Sequence, residues 1–294
     1  MITELVIERT VALSGVGALT VPVTEHVDNT LALDDSPFQI TNIDGLGFVK
    51  ADLASSGRTN TPGEILTGKS VGKRNIVIDF RLNPNWATQS VADLRRILYK
   101  YFRPTDDVEL TFNSDEAPTQ VNIFGTVESM EPEMFTQEPI IQVSILCYEP
   151  NFRALDPIVH AGTTEAYQTV SLDNPGIEAV GFEILFTPIA ADDVVGTIKL
   201  DDPVYITNPV LHFTGVDTDV NQPVRISTVY GDRFAQVQHA SYPVNKTVIA
   251  SLLPLMVSGS RWPQIPPGTS LLGITTTTTG MAYSLSYYPE YGAL

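Results

Sequence analysis

Apolar and polar side chains alternate along several short stretches of the chain, and this period of two predicts β-strands. In residues 75–82, the side chains on one face of the strand are apolar: Ile76, Ile78, Phe80 and Leu82. The alternation recurs in 108–112, 141–147, 211–213, 224–226 and 283–287, and Gly, Pro or Asn residues flank the last three stretches. Short strands between turn residues are typical of antiparallel sandwiches, so the pattern predicts a mainly β protein.

One segment, residues 90–102, has the period of an α-helix instead. Its apolar residues at positions 91, 94, 98 and 101 fall on a single helical face. Ser90 is placed to cap the N-terminus, and Asp93 follows three residues later, as in a capping box with Asp in place of Glu or Gln. Pro104 ends the helix because proline cannot continue it. The sequence therefore predicts one helix among the strands.

The stretch from Asp44 to Lys73 is rich in glycine and poor in apolar residues, so it cannot fill a core. Segments of this length without core residues are usually functional or disordered in compact domains. The basic residues of the chain also concentrate here and in the helix, where ten of the seventeen Lys and Arg residues lie between positions 50 and 103. We interpret the stretch as a candidate functional segment.

Length and composition predict two domains, 1–150 and 151–294, with the boundary near Pro150. Hydrophobic residues make up 43% of the 294 positions, which is enough for two cores. The net charge of −17 repels phosphate groups, so general nucleic-acid binding is disfavoured. A single cysteine, Cys147, excludes a disulfide or a Cys-based zinc site within one chain. The acidic N-terminus and the lack of a long apolar run predict neither a secretory leader nor membrane insertion.

No motif predicts catalysis, a metal site or a cofactor. The four histidines are far apart in the sequence, without metal-binding spacing. Residues 63–70 fit the letters of a P-loop but lack the strand before it and the helix after it, so we do not expect nucleotide binding. The sequence therefore predicts a protein that is not an enzyme. Tyrosines in the C-terminal half and Trp262 leave a carbohydrate-binding module open as an alternative.

Several motifs occur in the order found in the distal tail protein family of long-tailed, siphophage-type bacteriophages. In the N-terminal half these are Ile40–Gly47, the glycine-rich segment, Gly72–Ile78 and the helical residues Leu94–Leu98. In the C-terminal half they are Asn208–Val210, Tyr230–Asp232, Leu252–Leu255, Trp262–Gly268 and Tyr283–Gly292. The chain resembles this family over nearly its whole length.

The resemblance implies a ring-forming N-terminal β-sandwich with one helix and an extended arm, and a peripheral, galectin-like C-terminal β-sandwich. It implies a structural virion protein of the tail tip or baseplate hub, located in the phage tail and assembled in the host cytoplasm. As a homo-hexameric ring, it would join the tail tube protein to a baseplate hub or tail-associated protein and to receptor-binding proteins. DNA would pass through the channel without specific binding. The alternative is a carbohydrate-binding adhesion module of the tail.

Within this resemblance, the glycine-rich segment 45–73 would be an arm that reaches a neighbouring subunit by adding a strand to it. A cyclic ring needs such a contact between two different surfaces. Basic residues would relieve the repulsion between acidic subunits. We therefore expect the protein interface to include ten residues: Gly45, Leu46, Gly47, Arg58, Gly63, Lys69, Lys73, Arg74, Arg95 and Arg96.

Overall fold

The structure, a computed structural model, describes residues 2–9, 19–22, 37–58, 62–85, 87–114, 120–132, 139–188, 195–201, 210–214, 216, 222–276 and 279–294. The chain divides into two compact units. Unit 1 comprises Met1–Leu155 together with Tyr291–Leu294, and unit 2 comprises Asp156–Glu290. In the sequence, unit 2 is therefore an insertion between two segments of unit 1.

The described part of unit 1 is built from short strands and one helix. It holds β1 (Ile2–Arg9), β2 (Leu19–Pro22), β3 (Phe38–Asp44), β4 (Ala51–Gly57), β5 (Glu64–Val71), β6 (Arg74–Leu82), α1 (Val91–Tyr101), β7 (Asp107–Ser114), β8 (Gln120–Pro132), β9 (Ile140–Cys147) and β10 (Phe152–Ala154). Seven strands form an antiparallel sheet in the order β2-β1-β7-β8-β9-β6-β3, and β10 pairs with β8. Cα atoms of β2 and β3, at the ends of this order, approach within 8 Å, so the sheet curls on itself.

The core of unit 1 lies on the concave side of this sheet, where alternate residues of β6, β7 and β9 point inward. In β6, Ile76, Ile78 and Phe80 are fully buried, and Ile78 lies opposite Val143 of β9. The ring of Phe80 lies 5.4 Å from that of Phe102, the residue that follows α1. The strands predicted at 75–82, 108–112 and 141–147 are thus confirmed, because their alternating apolar residues form this core.

Helix α1 packs against the core of unit 1 through the apolar face that the sequence predicted. Leu94 and Leu98 are fully buried, and Val91 and Tyr101 pack against the same cluster. The capping box is present, since the Asp93 amide donates to the Ser90 hydroxyl at 3.3 Å and the Ser90 amide donates to the Asp93 carboxylate at 3.2 Å. Both the helix and its start are therefore confirmed.

Unit 2 is a sandwich of two sheets. Its described elements are β11 (Ile158–Thr163), β12 (Tyr167–Asn174), β13 (Phe182–Thr187), β14 (Val195–Asp201), β15 (Val210–His212), β16 (Val224–Ser227), β17 (Phe234–Gln238), β18 (Val248–Ser251), a 3-10 turn (Leu253–Leu255), β19 (Gly268–Thr276) and β20 (Ala282–Tyr287); β21 (Glu290–Tyr291) follows. One sheet has the order β11-β20-β13-β16-β17-β18 and the other the order β12-β19-β14-β15. The mainly β fold class is confirmed.

The two sheets of unit 2 share one apolar core. Phe182 and Ile184 of β13 belong to the same buried cluster as Leu172 of β12 and Ile274 of β19. The alternating stretches predicted at 224–226 and 283–287 contribute their alternate residues to this core: Val224, Ile226, Tyr283, Leu285 and Tyr287. A core between two antiparallel sheets is the arrangement that short alternating strands with frequent turns predict.

Candidate assembly interface

The glycine-rich stretch folds as an exposed β-hairpin. Strands β4 and β5 pair antiparallel, with Leu53 opposite Lys69 and Gly57 opposite Glu64, and within the described part of the chain they form a sheet of their own. Every residue of both strands is exposed. We call residues 48–73 the arm. With eight residues in β5, the hairpin is about 26 Å long.

Contacts within the hairpin set its shape. The Thr67 hydroxyl donates to the Ala54 carbonyl at 3.1 Å, beside an irregularity where Thr67 has no partner in the strand register. Near the tip, the Ser55 hydroxyl donates to the Glu64 carboxylate across the two strands. Gly63 has a φ of +102°, a conformation that only glycine adopts without strain. A two-stranded hairpin without further packing is marginally stable in water, so the arm is a segment that gains from a partner.

The charge of the arm is opposite to that of the chain as a whole. The arm carries four basic residues, Lys50, Arg58, Lys69 and Lys73, and two acidic ones, Asp52 and Glu64. The rest of the chain has 13 basic and 32 acidic residues. All four basic residues of the arm are exposed. The arm is thus complementary in charge to the surface of an acidic protein such as another copy of this chain.

The arm is joined to β6 of unit 1 at a buried arginine. Arg74 is only 2% exposed, and its guanidinium donates to four backbone carbonyls. Nε donates to Pro150 at 2.6 Å, Nη2 to Gly292 at 2.6 Å, and Nη1 to Gly47 at 2.7 Å and to Gly45. The guanidinium carbon lies 4.4 Å from the centre of the Phe152 ring. Burial lowers the pKa of Arg74 from its ordinary value, although the group stays charged at neutral pH.

We call Arg74 and the three residues that precede the arm the root of the arm. These three residues are Gly45, Leu46 and Gly47. Gly45 has a φ of +90°, and a Cβ at this position would lie 2.1 Å from the Asn75 carbonyl oxygen. The Leu46 carbonyl accepts a hydrogen bond of 3.1 Å from the amide of Leu294, the last residue of the chain. The root of the arm is therefore held by Arg74 and by the C-terminal residues of unit 1.

Cys147 lies beside Arg74 and is fully buried. Burial raises the pKa of its thiol to about 11, although the positive charge of Arg74 acts in the opposite direction. The thiol therefore stays protonated at neutral pH, and it packs as a small apolar side chain rather than serving as a nucleophile.

The two helical arginines of the predicted interface lie on α1. Arg96 is exposed and forms an ion pair of 3.7 Å with Asp93, whose pKa is lowered by hydrogen bonds with Ser90 and, to a smaller extent, by the charge of Arg96. Arg95 is half-buried. An exposed pair of this kind contributes little to stability, so the charge of Arg96 remains accessible to another molecule.

The ten residues of the predicted interface thus fall into three groups. Gly45, Leu46, Gly47 and Arg74 meet at the root; Arg58, Gly63, Lys69 and Lys73 lie along the arm; Arg95 and Arg96 lie on α1. Their role at an interface stays a prediction. The contacts of Arg74 are made within unit 1, so its charge serves to position the arm. Sequence reasoning missed the apolar residues of the arm and the part played by Gly292 and Leu294.

The aromatic residues of unit 2 are mostly engaged in packing. Tyr283 and Tyr287 are buried in the core, and Trp262 packs against it. The Arg225 guanidinium donates two hydrogen bonds of 2.6 Å to Glu183 and lies 4.7 Å from the centre of the Phe234 ring. Tyr230 is exposed, with Arg233 over its ring at 5.4 Å. These contacts give the carbohydrate-binding alternative no open stacking platform at Tyr283, Tyr287 or Trp262.

Residues 63–70, which fit the letters of a P-loop, run through the turn and strand β5 of the exposed hairpin. Within the described ranges, no three His, Cys, Asp or Glu residues are grouped so that they could hold a metal ion, and His26 lies outside these ranges. None of the described helices has the length and apolar character needed to cross a bilayer.

Comparison with known proteins identifies the domain that carries the arm. Residues 31–145 match the family described as phage tail protein RIFT-related domain. This chain carries a phage tail protein domain. The match includes the arm, its root and α1. The predicted location of the chain in the virion tail is confirmed by this match.

A solved structure extends the likeness to most of the chain. The Dit protein (gp 19.1) of phage SPP1, described as a paradigm of the hub adsorption apparatus in phages that infect Gram-positive hosts, is 14% identical, with a TM-score of 0.63. The match covers 86% of this chain and 93% of the SPP1 protein, which shows a shared fold. The resemblance to distal tail proteins is confirmed at the level of the tail protein domain and of the fold.

Two structures of the phage P2 baseplate in its activated conformation, with Ca and with Sr, also match. They are 13% and 12% identical, with TM-scores of 0.45 and 0.44, and each match covers 100% of both chains. TM-scores this low do not establish a shared fold with these structures. No curated protein gives a significant match to the sequence. The findings thus place the chain among the structural proteins of the phage tail.

Proposed function

We propose that this chain is the distal tail protein of a long-tailed phage, a structural hub with no catalytic role. Six copies form a closed ring that unit 1 builds, with unit 2 at the periphery of the ring. One face of the ring binds the tail tube protein, and the other binds a baseplate hub or tail-associated protein and receptor-binding proteins. DNA passes through the channel without specific binding, because an acidic wall does not hold phosphate groups.

The observation that carries this proposal is the exposed arm on a phage tail protein domain. A closed ring of identical subunits needs two different surfaces that fit each other. The arm supplies one such surface, because it projects from unit 1 as a separate sheet and all of its strand residues are exposed. The second surface lies on the acidic remainder of the neighbouring copy, which the basic residues of the arm complement.

The arm needs a fixed direction for this task, and the root supplies it. The Arg74 guanidinium joins the strand that follows the arm to Gly45 and Gly47, which precede it. Both ends of the arm are thereby held on one rigid group. A hairpin held in this way loses less conformational freedom when it binds than a flexible loop does.

The test is the mass of the purified full-length chain in solution, together with negative-stain images of the same sample. We expect closed six-membered rings with an open centre. Deletion of residues 52–68 is expected to abolish them, because it removes most of both arm strands. A chain that stays monomeric even when the tail tube protein is present would overturn the proposal.

A further inference from the structure

The two faces of the arm differ in chemistry. Paired residues of neighbouring strands carry their side chains on the same face of a sheet. By the register of β4 and β5, one face bears Leu53, Leu66 and Val71 together with the two charged residues Lys69 and Glu64. We call this the leucine face. The opposite face carries mainly small and polar side chains: Asp52, Ala54, Ser56, Ile65, Gly68 and Ser70.

The leucine face exposes far more apolar surface than the opposite face. Leu53, Leu66 and Val71 are 65%, 57% and 59% exposed. The opposite face has a single large apolar side chain, Ile65, which is 48% exposed. Scattered exposed leucines are ordinary on protein surfaces, but three large apolar side chains on one side of a thin hairpin form a continuous patch. Such a patch marks an interaction surface.

The charge of the arm as a whole indicates what covers the leucine face. Lys69 lies opposite Leu53 on this face, and Glu64, near the tip, accepts a hydrogen bond from Ser55. Since the arm has four basic and two acidic residues, the covering surface has to offer acidic groups next to apolar side chains. The part of this chain outside the arm has 32 acidic residues against 13 basic ones. The acidic surface of a second copy of this chain therefore complements the basic residues of the arm.

We propose that the arm docks on a second copy of this chain through its leucine face, by packing of side chains, with the Ile65 face turned to solvent. The inference rests on the proposed function and deepens it, because it assigns the contact to one face of the arm. Addition of a strand would use the edges of the hairpin instead, and it would not distinguish the two faces.

A matched pair of substitutions tests the assignment. Leu66 and Ile65 are neighbours in β5, similar in size and exposure, and lie on opposite faces. In the full-length chain, we expect Leu66→Asp and Leu53→Asp to weaken self-association at least tenfold, because a carboxylate would be buried in an apolar contact. Ile65→Asp is expected to change it less than threefold. Sedimentation velocity over a range of protein concentrations measures the effect.

Circular dichroism and thermal unfolding control for folding. All three side chains are exposed, so the melting temperatures of the three variants are expected to match that of the native chain. Equal weakening by Leu66→Asp and Ile65→Asp, or no weakening by either, would overturn the assignment to the leucine face. If the deletion of 52–68 still abolishes rings in that case, the proposed function stands. If rings persist after the deletion, the arm has no part in assembly.

Cross-linking can identify directly the molecule that covers the leucine face. Cys147 is buried and is the only cysteine, so a Leu66→Cys variant offers a single reactive thiol for a benzophenone maleimide. After irradiation in a mixture with the tail tube protein, we expect an adduct that contains two copies of this chain. An adduct with the tail tube protein, or no adduct at all, would overturn the choice of a second copy. The same label on an Ile65→Cys variant is the matched control and is expected to give no adduct.

Discussion

Strands β5 and β6 follow each other directly in the sequence, yet they have opposite environments. In β5 every residue is exposed, whereas in β6 alternate residues are buried in the core of unit 1. The difference lies in composition: β6 places Ile76, Ile78 and Phe80 on one face, while β5 has Gly68 and polar residues between its apolar ones. A strand with a full apolar face stabilises its own unit. A strand whose apolar face is incomplete stays exposed on its own unit and can pack against the surface of another molecule.

The comparison predicts that substitutions in β6 affect folding and substitutions in the arm affect assembly. The largest effect is expected from Phe80→Ala, because the ring is fully buried and its loss leaves a cavity beside Phe102. The free energy of unfolding of unit 1 should fall by about 3–5 kcal/mol. Chemical denaturation measures it. Phe48→Ala, in the exposed arm, is the control and should change this free energy by less than about 0.5 kcal/mol.

Arg74 begins β6 and directly follows the arm, so a substitution there affects both regions that are compared. Arg74→Met should cost about 3 kcal/mol of unfolding free energy, because four backbone carbonyls lose their donor. Amide hydrogen exchange should rise at residues 45–47 and 291–294 and stay unchanged in unit 2. Unchanged exchange at the root would mean that these carbonyls do not depend on the guanidinium.

Cys147 makes the stability of unit 1 depend on pH. Burial raises the pKa of the folded thiol to about 11, above the ordinary 9.0, so the folded state holds the proton more tightly than the unfolded state does. Stability from this group is complete below pH 9 and is lost as the pH rises to 11, by about 2 kcal/mol. Denaturation at both pH values measures the loss. The part that comes from this thiol should disappear in Cys147→Ala.

An effect of similar size is expected from one of the two glycines at the root. Gly45→Ala should cost about 1–3 kcal/mol, because φ is positive and the new Cβ meets the Asn75 carbonyl. Gly47→Ala is the matched control, since a Cβ there has no atom within 4 Å. Thermal unfolding compares the two variants. Equal melting temperatures would show that the root tolerates a side chain at both positions.

The smallest effect on folding is expected at Arg96. Its ion pair with Asp93 is exposed, so Arg96→Glu should change the unfolding free energy by less than about 1 kcal/mol. Assembly should still weaken if α1 is part of the interface, because the substitution reverses a charge that the acidic partner surface attracts. Sedimentation at low and at moderate salt separates the two effects, since salt screens this attraction. Unchanged assembly would place α1 outside the interface.

The sequence predicted the core strands and the helix because their periodicity is a direct consequence of burial. Ile76, Ile78 and Phe80 alternate because one face of β6 is covered, and Leu94 and Leu98 recur at the helical period for the same reason. Strands β4 and β5 could not be predicted in this way, because no part of the described unit covers them. A hairpin with two exposed faces leaves no alternation for a periodic analysis to find.

The root of the arm was only half predictable. Gly45, Gly47 and Arg74 were singled out, but as residues of an interface between subunits. The structure adds that Arg74 binds Gly292, 218 positions away in the sequence. No local pattern predicts a hydrogen bond from a side chain to one carbonyl at such a separation. A buried arginine in a stretch rich in basic residues looks the same, in sequence, as an exposed one.

The position of Gly292 has a further consequence. Pro150 and Gly292 stand on either side of the inserted unit 2, and their carbonyls bind two nitrogens of one guanidinium. The chain thus departs from unit 1 and re-enters it at neighbouring points. A segment with adjacent ends can be exchanged for another of different length at little entropic cost. Because Arg74 holds both ends of the inserted segment, unit 1 can accept a different domain at this point without a change in its own fold.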